Sequence, residues 1–202
     1  ICFVSALNHL TVGLAVLLLY LHPALVLLAG AALGRQRLTP RKAALAAASF
    51  AGILLTVRGD LAGTPVGLAF GIGAALIYTN YILVGEHLTP RTGVIPAATV
   101  IVLSAAVMFF LGTLVEGVRW PGTTGGWLAV AGIAVLGTAL ATVTFFAGVQ
   151  RIGAGDAATL STLEPVVALV LAFVFLGEQL GAVQLAGALL VIASAALLGR
   201  SG

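Results

Sequence analysis

Two ionisable residues of this 202-residue chain stand deep in apolar runs, each directly before a proline: Glu164 before Pro165 in TLSTLEPVVALVLAF, and His22 before Pro23 in LLLYLHPALVLLAG. An ionised acid at the centre of a membrane helix costs roughly 2.5–3.5 kcal/mol, so Glu164 is expected to face a bundle interior and to be protonated or paired. A carboxyl held that way can take and release a proton or bind a cationic group. Pro165 removes a backbone donor and frees the carbonyl of Ser161, which predicts a kink and a polar group available to a cavity. Ser161 precedes Glu164 by one turn and is expected on the same side. The competing reading is a neutral Glu that hydrogen-bonds a neighbouring helix and holds it. Neutral imidazole is easier to bury. His22 could share a proton with Glu164 or bind ammonium and hydroxyl groups, or it could be satisfied by a backbone carbonyl.

A second polar patch is Tyr78, Thr79, Asn80 and Tyr81. Four adjacent side chains point in different directions, so at most two face one cavity. Asn80 is the first candidate, because an amide in lipid must find a partner, and Tyr78 follows; the tyrosines could equally be packing aromatics. Thr138 and Thr142 are expected to bond to their own backbone.

These residues need elements to hold them. Hydrophobic residues make up 61% of the chain and charged residues 7%, with a net charge of +3. That balance excludes a soluble enzyme, a disordered chain and a nucleic-acid-binding module. Seven runs approach the length of about 20 residues that spans a bilayer: Leu10–Leu33, Arg41–Val57, Pro65–Val84, Val94–Val115, Gly126–Val149, Gly155–Leu176 and Gly181–Leu198. None alternates as a barrel strand would. Gly, Pro and charge collect at the joints 34–42, 58–65, 85–91, 116–126 and 150–156. One cysteine, Cys2, excludes a disulfide framework and a Cys-rich metal site. No cofactor or metal is expected: GTTGG at 122–126 lacks the ending of a phosphate loop, no HExxH is present, and no Ser has a nucleophile setting.

With loop 34–42 in the cytoplasm, seven of nine basic residues (Arg35, Arg37, Arg41, Lys42, Arg91, Arg151 and Arg200) lie on that side, and Arg58 and Arg119 on the other. The C-terminus is then cytoplasmic, and Trp120 and Trp127 flank an external loop. Glycine spacing at Gly67 and Gly71 reads as close helix packing.

Sliding the chain on itself by 142 residues lays Glu164-Pro165 on His22-Pro23, with Phe145 on Phe3 and Leu180 on Leu38. The first span then matches the sixth. Five spans separate them, so equivalent segments cross the membrane in opposite directions, as in the inverted repeats of secondary transporters. Loop 34–42 carries four basic residues, whereas its counterpart at 177–181 carries Glu178. Residues 65–149 have no counterpart upstream, and the chain does not begin with Met. The expectation is a fragment short by about eighty residues, in which both pre-proline residues approach one midplane cavity.

TFFAGVQRIGAGDAATLSTLEPVVALVLAFVFLGEQLGAVQLAGALLVIASAAL at 144–197 resembles the closing part of an EamA repeat, and FVSALNHLTVGLAVLLLYLHPALVLLAGAALGRQRLTPRKAALAAASFAGILLTV at 3–57 is similar. EamA proteins belong to the drug/metabolite transporter (DMT) superfamily. The resemblance implies an all-α polytopic membrane protein of inverted five-helix repeats, the ten-helix DMT fold. About seven helices and the end of an eighth would be present here, with 1–57 the close of a first repeat and 65–200 a second. Gly177-Glu178 fits the family's LGE element, where the first repeat has Arg35-Gln36; Glu178 is expected to cap the following helix rather than touch substrate. The function implied is export or exchange of small organic metabolites, amino-acid-like or cationic, by alternating access with possible proton coupling. A passive channel, lipid scramblase or non-transporting sensor on this fold remains an alternative, and an intramembrane enzyme is a third. The expected partners are a small-molecule substrate and the lipid bilayer, with a homodimer open and no nucleic acid. The expected location is the bacterial inner membrane.

Overall fold

The computed structural model describes residues 2–57, 61–116, 120–177 and 179–199. Glu178, whose capping role was expected, lies outside them, as do Arg58, Arg119 and Arg200. The described chain is helical, with a single extended bridge between Leu10 and Gly63. In order, the helices are α1 Cys2–Leu7, α2 Val12–Leu19, α3 His22–Ala32, α4 Pro40–Thr56, α5 Pro65–Thr92, α6 Val94–Glu116, α7 Thr124–Gly132, α8 Ala141–Ile152, α9 Ala154–Leu160, α10 Glu164–Leu176 and α11 Ala182–Gly199. A π-helical stretch, Ile133–Leu140, joins α7 to α8, and a 3-10 turn, Ser161–Leu163, joins α9 to α10.

Among the described residues, six segments are long and apolar enough to cross a membrane: Val12–Ala32, Pro65–Thr92, Val94–Leu114, Thr124–Ile152, Ala154–Phe175 and Ala182–Gly199. The protein is an all-α polytopic integral membrane protein. The remaining expected span, Arg41–Val57, forms as α4 with 17 residues. Thr39 caps it, its hydroxyl accepting from the Lys42 backbone at 3.2 Å, and Pro40 sits in the first turn, where its missing N–H costs nothing.

Two expected joints are helical instead. The segment 85–91 continues α5 through Pro90, and the helix ends only at Gly93, whose φ of +87° no β-carbon tolerates easily. Proline near the end of a helix removes one bond, whereas a left-handed glycine redirects the chain, so glycine sets the boundary. The joint 150–156 likewise shrinks to Gly153, at φ +82°, between Ile152 and Ala154.

The expected kinks take the form of local turns, 20–21 and the 3-10 turn Ser161–Leu163, that interrupt the α-helical bonding while keeping right-handed backbone angles. Leu21 and Leu163, each before an X-Pro pair, share φ −69° and ψ −20°. Val12, His22 and Pro40 begin helices, and so do Ala154, Glu164 and Ala182, each 142 residues further on. The local sequence thus builds the same broken span and following helix twice.

The chain forms two compact units, Cys2–Leu83 with Ile152–Gly202, and Val84–Arg151. In the first, α4 packs on α11. Gln184, in the first turn of α11, donates to the Thr56 carbonyl that ends α4 (3.3 Å), and Arg41, in the first turn of α4, donates to Leu197 O near the end of α11 (3.1 Å). These reciprocal bonds make the two helices antiparallel. Gly52 and Gly187 allow the approach: a β-carbon on Gly187 would stand 2.6 Å from Gly52 O. Ile53 and Val191 are fully buried there, with Leu17, Tyr20 and Val166 in the same cluster.

In the second unit, Phe146 is buried and fills the space that Gly85 leaves; a β-carbon on Gly85 would collide with its ring. Thr138 Oγ1 donates five residues back to Ile133 O (3.3 Å), in keeping with the expected bonding to its own backbone. Trp120 and Trp127 stack with centroids 5.8 Å apart. The exposed apolar side chains of α6 and α7 suit contact with lipid.

Candidate functional site

The two helix breaks lie in the first unit and expose backbone groups that a continuous helix would consume. Pro23 cannot donate to the Leu19 carbonyl, and the His22 ring takes that acceptor: Nδ1–H donates to Leu19 O at 3.0 Å. The bond assigns the tautomer, since a carbonyl can only accept. In the neutral ring Nε2 is then a lone-pair acceptor, and it is buried with no hydrogen-bond partner among the described residues, in a residue only 3% exposed.

At the equivalent break the chemistry differs. The backbone N–H of Glu164 reaches the Ser161 carbonyl that Pro165 leaves free, within the 3-10 turn. The Glu164 carboxyl is spared from that task and points outward from its span, exposed, with Tyr20 OH donating to Oε2 at 3.1 Å. Tyr20 itself is 8% exposed. Its ring lies 5.9 Å from the His22 ring, and Tyr78 meets His22 edge-on at 4.7 Å and 80°. Tyr81 lies tilted by 30° beside Tyr78, with ring centroids 5.4 Å apart. A continuous cluster results, running Glu164, Tyr20, His22, Tyr78, Tyr81.

The structure thus brings together Glu164, His22 and Tyr78 from among the sequence candidates. Pro23 and Pro165 sit at the second position of α3 and α10, positioning the cluster without joining it. Ser161 stays outside: its hydroxyl donates to Ala158 O at 2.7 Å, within its own span. Asn80 is exposed and has no hydrogen-bond partner among the described residues. Two positions from Tyr78 is about 200° around a helix, so Asn80 cannot share its face. Thr79 donates to Ala75 O at 2.8 Å. Tyr20 was missed by the sequence reading. Its signal was available: a phenol mid-span needs a hydroxyl partner, and it lies three residues before Pro23.

Chemically, the cluster offers two acceptors, the Glu164 carboxylate and His22 Nε2, together with tyrosine rings and hydroxyls. No group of three or more His, Cys, Asp or Glu able to hold a metal occurs among the described residues. Arg35, Arg41 and Lys42 are engaged elsewhere: Arg35 donates to Leu83 O (3.0 Å), Arg41 to Leu197 O, and Lys42 pairs with Asp156 at 2.7 Å.

Comparison with known proteins adds three findings. The profile of the EamA-like transporter family matches residues 65–200. An uncharacterized transporter, YcbK, of Bacillus subtilis (strain 168) is 30% identical over 130 residues, which cover 60% of this chain and 41% of that protein. A solved crystal structure superposes on 100% of this chain and 73% of its own, with 25% identity and a TM-score of 0.87. The chain thus matches under half the length of the curated relative.

Proposed function

The chain belongs to the EamA-like transporter family, and on that premise we propose that it serves a secondary transporter moving small organic metabolites that carry an ammonium or comparable donor group. The supporting observation is a chain of contacts: a mid-span carboxyl, Glu164, accepts from Tyr20, whose ring lies 5.9 Å from that of His22, and the buried Nε2 of His22 has no hydrogen-bond partner among the described residues. An ammonium donates to the free oxygen of Glu164 and to His22 Nε2, while Tyr20 OH retains Oε2. The Tyr78 ring supplies an aromatic face suited to a cation. When the substrate leaves, a proton can replace it on Glu164, and competition between the two couples flux to a proton gradient. Alternating access moves the site between the two faces by rearranging the half-helices on either side of the breaks.

The end carrying Arg35, Arg41 and Lys42 is assigned to the cytoplasm on the positive-inside rule, and the Arg41 bond to Leu197 O carries the C-terminal end of α11 to the same side. The bacterial inner membrane and a homodimeric assembly remain part of this reading.

The test is uptake of labelled amines and amino acids by the full-length protein in liposomes under an imposed pH gradient. Glu164→Gln should insert normally and lose pH-dependent flux. Unchanged proton-coupled transport in that variant removes Glu164 from the mechanism. Counterflow separates carrier from channel, since trans-acceleration requires a carrier.

A further inference from the structure

We infer that the loop between α3 and α4 is a docking site for the phosphodiester headgroup of an anionic phospholipid. Arg35, Arg37 and Arg41 hold the headgroup, and Leu33, Leu38 and Leu197 meet the acyl chains. The inference needs only the membrane assignment and stands apart from the transport reading.

The fold does not need these cations. Helices α4 and α11 begin 142 residues apart. The stretch leading into α4, GRQRLTPRK at 34–42, carries three Arg and one Lys, whereas its counterpart LGEQLGAVQ at 176–184 carries neither. A helix thus starts at the equivalent point without a basic residue, so the charge has another use. A positive-inside signal acts while the chain inserts and requires no defined position in the folded protein.

This loop is nevertheless pinned on both sides of Arg37. Gln36 Nε2 donates to Val26 O (3.0 Å) and Leu27 O (3.2 Å), and its amide fills the space left by Gly30 and Gly155. Thr39 caps α4 on the other side. Arg35 Nη1 donates to Leu83 O at 3.0 Å, and Arg41 Nη2 to Leu197 O at 3.1 Å. Each of these bonds uses one of the five donors on a guanidinium and fixes where the rest point. Arg37 is exposed and has no hydrogen-bond or ion-pair partner among the described residues.

Charge and surface select the occupant. Asp156 neutralises Lys42 at 2.7 Å, and neither α4 nor α11 carries an acid. The three arginines have no carboxylate partner among the described residues. Held guanidinium forks match the paired oxygens of a phosphate. Leu33 and Leu38, in the same segment, and Leu197, whose carbonyl receives Arg41, all expose their side chains. Free phosphate has no use for that apolar surface. A lipid covers it with acyl chain while its headgroup meets the arginines.

The experiment uses the full-length protein in dodecyl maltoside micelles, with its cysteines, Cys2 included, replaced by Ala. Ala44→Cys, exposed and three residues beyond Arg41 on the same face of α4, carries a bimane label. Its quenching is titrated with phosphatidylglycerol bearing a doxyl group on the acyl chain, and with the matching phosphatidylcholine. Phosphatidylglycerol should reach half-quenching at about one-tenth of the mole fraction that phosphatidylcholine needs, or less. Arg37→Gln should raise the phosphatidylglycerol midpoint about fivefold and leave that of phosphatidylcholine unchanged. Because Arg37 bonds to no described residue, this variant keeps the fold. Arg151→Gln removes a charge that the sequence assigns to the same membrane side, and should move neither midpoint. The inference is overturned if the two lipids quench alike, or if Arg37→Gln leaves the phosphatidylglycerol midpoint where it was. A shift of equal size in Arg151→Gln also overturns it, since net charge rather than this loop is then responsible. Displacement of the lipid by inorganic phosphate at constant ionic strength assigns the loop to a free anion and overturns it too.

Discussion

Consider Gly187→Ala, a change of one methyl group at the crossing of α4 and α11. The added carbon would lie 2.6 Å from Gly52 O, 2.8 Å from Leu55 Cβ and 3.1 Å from Thr56 Cγ2. The nearest two are a backbone atom and a β-carbon, so neither can swing aside and α4 as a whole must retreat. The same interface is tight from the other side, where a β-carbon on Gly52 would stand 2.7 Å from Val191 Cγ2. Overpacking of this kind costs about 1–3 kcal/mol. Opposing it, alanine is favoured over glycine inside a helix by about 0.8–1.0 kcal/mol. Because the contacts are rigid, the upper half of the steric range applies, and the net loss is about 1–2 kcal/mol. For a chain of this size that lowers Tm by about 2–8 °C, measured by thermal unfolding of the full-length protein in detergent. Gly73→Ala is the matched control in the same unit: nothing stands within 4 Å of its would-be β-carbon, so only the helix gain remains and Tm should rise by about 2–4 °C. If the two variants shift Tm in the same direction, the close-packed crossing is not what the glycine serves.

Two further outcomes test other parts of the argument. Tyr20→Phe deletes the hydroxyl on Glu164 Oε2 but keeps the ring beside His22; a hydrogen bond worth about 1 kcal/mol predicts about a fivefold rise in KM for an amine substrate, with maximal flux retained, and an unaltered KM would show that Tyr20 does not position the acid. Gly93→Ala forces a β-carbon onto a φ of +87°, costing about 1–2 kcal/mol, so Tm should fall by about 2–8 °C; no fall would mean that α5 can end without the left-handed turn.

Much of the architecture was legible because it depends on local chemistry. Charge scarcity and run length identify a membrane protein, and X-Pro in the middle of a span interrupts its bonding, since the missing N–H is a property of the residue; near a helix end, as at Pro90, the helix continues. The breaks at 20–21 and 161–163 therefore appear where Pro23 and Pro165 predict them. Boundaries were less legible at 85–91 and 150–156. There charge and proline suggested loops, but the chain turns only where glycine adopts a positive φ, at Gly93 and Gly153.

The sequence by itself determined the class of the protein, its doubled broken span, and the two pre-proline residues at its centre. Tertiary structure decided their company. Tyr20 reaches Glu164 across 144 positions of chain, Tyr78 lies against His22 while Asn80 faces elsewhere, and Lys42 finds Asp156. Composition and periodicity describe one helix at a time, whereas a hydrogen bond between helices depends on how far each is rotated about its axis. That rotation is set by the side chains packed between them.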